Sequence, residues 1–256
     1  LLAHLVNEEE RLIGARTLDC AEKCMDQGRP VATDFLDPHA RQIAHGVLGS
    51  IPSVAVRAFG GYPQAERQRL LIYPEYYLRE LLEPPLRAVE VRVNTPADKL
   101  KHGDFLGAIL STGINRAQIG DILLVGDGCQ VVLSETALPI VLSGLQKVHR
   151  LSVQVAEIDL EQLEVAPQRV KEIRTTVASM RLDAVAAFGF GMSRTKIVRE
   201  IRAERLKVNW RVTADPAQVV AEGDVISMRG RGRVTIAEVS GTTRKGRTAL
   251  VLQRAF

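Results

Sequence analysis

The chain has 256 residues, a net charge of +4 and 46% hydrophobic residues, which suits two or three small domains, each with its own buried core. No apolar run approaches the ~18 residues of a membrane span. Three cysteines, Cys20, Cys24 and Cys129, are too few and too odd in number for a disulfide framework and point to a reducing compartment, the cytoplasm by default.

The opening LLAHLVNEEER reads as an amphipathic helix, and its acidic cluster does not suit a signal or transit peptide. A plastid stromal location would apply only if such a peptide had been removed. Leu5, Leu12, Ala15 and Leu18 give this helix an apolar face, and Gly28-Arg29-Pro30 ends it. Asp37-Pro38 opens a second helix running to about Leu48, with proline in the first turn. Residues 54–59 and 70–73 read as strands joined through the turn Gly60-Gly61-Tyr62-Pro63. Pro84-Pro85 marks a boundary, giving an N-terminal domain over residues 1–84.

Residues 85–160 read as a second domain. Strands at 88–93, 121–125, 130–133 and 151–158 alternate with helices at 104–112 and 136–145. This βαββαβ order predicts a ferredoxin-like sandwich, the architecture shared by RNA-recognition motifs. Those motifs stack bases on aromatics of the central strands. Gln130-Val131-Val132-Leu133 offers no aromatic, so the sheet face is expected to serve as a spacer or a protein contact instead.

Residues 161–178 read as a linker containing Pro167 and one further strand at 170–177. The charge distribution changes after it. Residues 179–256 hold 15 Lys and Arg against 7 Asp and Glu, a net of +8, and the preceding residues hold a net of −4. Clustered cations gain by displacing counterions from phosphates, so the last third is expected to bind a polyanion. A short helix spans 181–188 with Leu182, Val185 and Phe188 inward, and Gly189-Phe190-Gly191 breaks it. Ser193 caps the next helix. There Ile197, Val198 and Ile201 share a ~100° arc, with Lys196, Arg199 and Arg202 on a separate ~120° arc. Arg194 lies in the first turn, where its charge opposes the helix dipole, which suggests a bound phosphate. Short strands follow at 207–209, 225–228, 234–239 and 249–252, with basic turns Arg229-Gly230-Arg231-Gly232-Arg233 and Arg244-Lys245-Gly246-Arg247 between them.

RLDAVAAFGFGMSRTKIVREI, then VNW, then EGDVISMRGRGRV resemble an S4 RNA-binding domain of the αL type in order and spacing. Upstream, TDFLDP (33–38), FGGYPQAERQR (59–69) and LKHGDFLGAILSTGINRAQIGDIL (100–123) resemble the YlmH family. Its cyanobacterial and plastid branch, the photosystem II S4 domain proteins, is the most similar. Arg231 replaces the phenylalanine usual in the family's R-G-F-G-R turn, which favours a phosphate contact there. The resemblance implies an α+β chain that holds ribosomal or transfer RNA, with some relatives acting on stalled large ribosomal subunits carrying peptidyl-tRNA. The expected RNA contacts are Arg181, Ser193, Arg194, Lys196, Arg199, Arg202, Lys207, Asn209, Arg229, Arg231, Arg233 and Lys245.

Sharper chemistry elsewhere is outweighed. Cys20 and Cys24 share a helix face without a second ligand pair, so packing is favoured over a metal. Asp104 in His102-Gly103-Asp104 suits a helix cap better than a catalytic pair. Gly189-Phe190-Gly191 lacks the strand and acidic partner of a dinucleotide site, so no cofactor is expected. Arg67 and Arg69 read equally as a second RNA contact or a solvated strand. Arg181-Leu182-Asp183 mimics the catalytic tripeptide of pseudouridine synthases, and Gly191-Met192-Ser193-Arg194 resembles a synthetase loop without its partner motif. A non-catalytic RNA-binding protein is therefore the reading, with an RNA-modifying enzyme or a photosystem II assembly factor as alternatives.

Overall fold

The structure, a computed structural model, describes residues 8–93, 100–166, 170–243 and 246–255. The chain forms two compact units, Leu1–Ala166 and Pro167–Phe256. Leu5, Pro167, Arg244 and Lys245 lie outside the described residues.

In the first unit, α1 (Glu8–Gln27) buries Glu10, Gly14, Thr17, Ala21 and Cys24. The expected leucine face is wrong here, because Leu12 is 52% exposed. The alternating three- and four-residue spacing of the small residues Gly14, Thr17, Ala21 and Cys24 instead lets α1 lie close against a neighbouring helix. Within that face the buried Glu10 carboxylate meets His39 Nε2 at 3.3 Å. The strand β1 (Val31–Ala32) follows, then α2 (Pro38–Leu48), capped by the Asp37 carboxylate accepting from the Ala40 N–H. With β2 (Val54–Phe59) and β3 (Arg69–Pro74), β1 forms a three-stranded sheet in the order β1-β3-β2.

The βαββαβ expectation holds. The strands are β4 (Leu86–Val93), β5 (Ile119–Val125), β6 (Gly128–Ser134), β7 (Lys147–Val148) and β8 (Leu151–Ile158). The helices are α3 (His102–Leu110) and α4 (Leu138–Gly144). The sheet order is β5-β6-β4-β8-β7, a ferredoxin-like arrangement with β7 added at one edge by a hairpin. Val91, Phe105, Ile109, Val131, Leu133 and Val141 form the core between sheet and helices.

The opposite sheet face is closed by the chain itself. Phe35, Leu86 and Val132 form a buried cluster with Phe59, Leu160 and Leu163 packed against it. The Gln130 amide accepts from the Glu164 N–H at 2.6 Å and donates to the Gln162 carbonyl at 3.3 Å. A Cβ on Gly120 would stand 2.7 Å from the Phe35 ring, so glycine there permits the close approach. The face expected as a spacer is an internal seam joining the two N-terminal domains.

Polar groups clamp the same seam. The Asp121 carboxylate accepts from Tyr62 Oη at 2.8 Å and from the Glu66 and Arg67 N–H groups at 2.7 and 3.1 Å. Arg67 donates to the carbonyls of Ile119, Phe35 and Arg116, and Arg69 to those of Thr33 and Pro85. These arginines are structural braces, which corrects both the RNA-contact and the solvated-strand readings. Hydrogen bonds to a charged group are worth about 1.5–3 kcal/mol each and are not additive within a network. Asp121→Ala should therefore cost about 2–4 kcal/mol and lower the melting temperature of the first unit by roughly 5–10 °C. An unchanged calorimetric melt of the full chain would remove this clamp from the account.

The second unit contains β9 (Val170–Val177), α5 (Leu182–Phe190), α6 (Arg194–Arg202), β10 (Leu206–Val208), β11 (Arg211–Val212), β12 (Val225–Met228), β13 (Gly232–Thr242) and β14 (Thr248–Ala255). Its sheet order is β11-β10-β12-β13-β14-β9. The strand expected inside a linker is thus the edge strand of this sheet. It pairs antiparallel with β14 from Val170↔Ala255 to Val177↔Thr248. Both helices cover one sheet face, burying Leu182, Val185, Phe190, Ile197, Ile201, Ile226, Val234 and Leu252.

The phase of α5 differs from the expectation. Gly189 lies inside the helix, where a Cβ would stand 2.6 Å from Val234 Cγ1. That contact and the buried Phe190 turn Phe188 outward, leaving it 44% exposed. Gly191, at φ +62, caps the helix in the left-handed region that suits glycine.

Candidate nucleic-acid interface

The paired helices present a compact charged cluster. Asp183, in the first turn of α5, is 3% exposed. Arg181 reaches its carboxylate through Nη2 at 3.1 Å and Nε at 3.3 Å, and Arg194 Nη2 reaches both oxygens at 2.9 and 3.0 Å. Burial works against a charged Asp183, but the hydrogen bonds from Arg181 and Arg194 outweigh it and hold the carboxyl below its ordinary range. The unfavourable position of Arg194 at the helix start is therefore offset within the fold, because its charge neutralises a buried carboxylate. Both guanidinium groups remain open on their outer side, with side-chain exposures of 40% for Arg181 and 56% for Arg194.

Ser193 caps α6 as expected, its hydroxyl accepting from the Lys196 N–H. Lys196, Arg199 and Arg202 are exposed, with Ile197 and Ile201 buried beneath them. The 100° step between residues separates the two sets without help from tertiary contacts.

A second group of cations lies on the sheet. Lys207 pairs with Ser227, Ser227 with Arg233, and Arg233 with Ala255. Directly paired residues point to one face, so Lys207 and Arg233 flank Ser227. Their chain neighbours Leu206, Val208 and Val234 are buried on the other face. The β12–β13 turn carries exposed Arg229 and Arg231, with Gly230 and Gly232 at φ +76 and +82. The expected cations therefore divide between the two helices and the solvent side of the sheet with its turn. Lys245 lies outside the described residues.

Asn209, expected as an RNA contact, is exposed and also bonded within the fold. Its amide donates to Asp224 Oδ1 at 2.7 Å and accepts from the Val225 N–H at 2.9 Å. At φ +48 it holds the chain reversal after β10, so the side chain has a local structural role. Among the described residues, Lys196, Arg199, Arg202, Lys207, Arg229 and Arg231 are exposed cations with no side-chain hydrogen bond or ion pair.

Sequence reasoning missed two residues at this surface. Asp183 organises both arginines, and its place two residues after Arg181 in the first turn of a helix was the available signal. Arg254 donates to the Phe190 carbonyl at 3.2 Å and to the Arg231 carbonyl at 3.4 Å, tying the end of α5 to the basic turn. Nothing local in the sequence marks that role. In the first unit, Asp104 accepts from the Lys101 N–H as part of a capping box, as expected, and its other contact is His149 rather than His102. Cys24 is buried in the α1 face, and burial raises its thiol pKa and that of Cys20.

Comparison with known proteins matches three family models to this chain. They are the YlmH N-terminal domain over residues 9–77, the putative RNA-binding domain in YlmH over 85–162, and the S4 domain over 180–226. A Bacillus subtilis relative, ribosome-associated protein quality control protein P2, is 33% identical over 247 residues, covering 96% of each chain. A solved structure, the cell division protein ylmH from Streptococcus pneumoniae, aligns with a TM-score of 0.52 at 25% identity, over 62% of this chain and 97% of that one. Three family models in the same order along the chain, together with a full-length relative at this identity, show that the chain belongs to the YlmH family.

Proposed function

We propose that this chain is a non-catalytic protein that grips structured ribosomal or transfer RNA through its second unit, and that it works on the large ribosomal subunit. The observation that carries the reading is the set of exposed, unpaired cations on α6, β10 and the β12–β13 turn. Phosphate neutralisation would release counterions from RNA and account for cations that the fold itself does not need. Arg181 and Arg194 join the set through their open outer sides, already pre-oriented by Asp183. The ribosomal location rests on the B. subtilis relative, whose name describes a ribosome-associated protein.

The pseudouridine-synthase-like tripeptide lends no support to an enzyme. Asp183, which would be its reacting group, is buried and held by two arginines.

The test is binding of a structured ribosomal RNA fragment by the full chain at several salt concentrations. About 4–6 neutralised phosphates should give a slope of log K against log salt of roughly −3 to −5. A slope near zero removes the electrostatic reading. Sedimentation with 50S particles that is abolished by ribonuclease is the expected cellular counterpart, and retention after ribonuclease would favour a protein-assembly role.

A further inference from the structure

The outward ring of Phe188 has no task in the core. It sits on the last turn of α5, and Phe190 fills the interior position that Phe188 would otherwise take. Water contact with an aromatic ring is unfavourable by roughly 25 cal/mol per Å², and a polar residue at this helix position would avoid that cost.

The surroundings narrow what could cover the ring. Phe188 is the only large aromatic among the exposed hydrophobic residues described for the second unit. One turn back on its helix is Ala184, and its chain neighbour is Ala187, both small and partly buried. A stable protein interface buries about 800 Å² per partner, and one ring flanked by alanines does not begin such a patch. Cations do reach the end of its helix. The Phe190 carbonyl takes Arg254, which also reaches the Arg231 carbonyl in the basic turn. Along the chain, Gly191-Met192 leads directly to the Ser193 cap and to the α6 cations. The unit as a whole carries a net charge of +10.

From this placement we propose that Phe188 is a stacking platform for one unpaired RNA base, and that the α6 and turn cations hold the phosphates on either side of that nucleotide. The proposal rests on the RNA reading above and deepens it. The preferred ligand becomes a loop or bulge beside a helical stem, rather than a continuous duplex. Base–aromatic stacking needs only a π-face, so the platform tolerates any base and confers shape specificity more than sequence specificity.

The experiment uses the full chain and two RNA probes. One is a stem–loop with a single fluorescent purine analogue unpaired in its loop, and the other is the same stem closed as a duplex. Stacking predicts fluorescence quenching on binding the stem–loop and tighter binding of the stem–loop than of the duplex. Phe188→Ala should lose roughly tenfold to a hundredfold in affinity for the stem–loop, keep its affinity for the duplex, and leave the salt slope unchanged. Phe188→Tyr should restore both affinity and quenching. Since Phe188 is outward and alanine favours helix, the melting temperature of the alanine variant should not fall.

Wild-type stem–loop affinity in Phe188→Ala, with binding lost in the Lys196→Ala/Arg199→Ala double variant, overturns the platform and leaves the RNA reading intact. Wild-type affinity in both variants overturns the two together. An equal loss on both probes also overturns the platform, since a duplex offers no unpaired base to stack.

Discussion

A fragment starting at residue 179 should fail to fold stably, and one starting at residue 167 should melt as a cooperative domain. The sequence reading draws the RNA-binding module from residue 179, because the charge excess and the helical motifs begin there. That boundary removes β9, which pairs with β14 along eight consecutive positions. It also removes Val177, 1% exposed in the core, and Ile173, packed against the same core. Burying one valine contributes about 1.5–3 kcal/mol. The Arg247 guanidinium loses its bond to Thr176 Oγ1 at 3.0 Å as well. Against a typical domain stability of about 5–15 kcal/mol, a loss of roughly 4 kcal/mol or more is decisive for a unit this small. The exposed edge of β14 would also invite strand pairing between molecules. Circular dichroism melts of the two fragments provide the check. Equal melting temperatures would show that β9 contributes nothing to stability.

The second large effect is expected where α5 meets α6. Replacing both Arg181 and Arg194 with methionine leaves Asp183 buried without a counter-charge. Breaking a buried ion pair by removing one side typically costs about 3–5 kcal/mol, but here the arginines are partly solvated, so about 2–4 kcal/mol is expected. Arg194→Ala alone leaves Arg181 in place and should cost about 1 kcal/mol, while still weakening RNA binding. The pH dependence follows from the same contact. The Asp183 carboxyl is held below its ordinary range in the folded protein. Its contribution is therefore fully present above the unfolded value of about 3.9 and is lost as the pH falls through the lower folded value. Melts of the 167–256 fragment should drop steeply below about pH 4, and Asp183→Asn should flatten that drop while lowering stability near neutrality. Parallel acid melts of the two proteins would refute the assignment.

Most of the element order was legible in the sequence because it rests on local signals. The Asp37-Pro38 cap, the strands at 151–158 and 225–228, and the Ser193 helix start all carry their cues within a few residues. The polar face of α6 was equally visible, since 3.6-residue periodicity separates its cations from Ile197 and Ile201. What stayed hidden depends on contacts between distant segments. The strand at 170–177 reads as such in the sequence, but it looks like part of a linker until its partner, more than seventy residues later, is known. Arg67 and Arg69 read equally as RNA contacts or as solvated side chains until the carbonyls of Phe35, Ile119 and Pro85 are brought to them. Phe188 and Phe190 are equal candidates for the core by hydrophobicity, and the choice is made by Gly189 against Val234. Asp183 stands within a visible motif, but its burial between two arginines comes only with the helix pair.

The register of β9 has a topological consequence. Val170 stands opposite Ala255, so the chain enters and leaves the second unit at one corner of its sheet. Domains with neighbouring ends tolerate circular permutation and insertion into other proteins. The second unit is therefore transplantable as a cassette: spliced into a surface loop of an unrelated host, residues 170–255 should bring their sheet intact and carry the cationic helix pair with them.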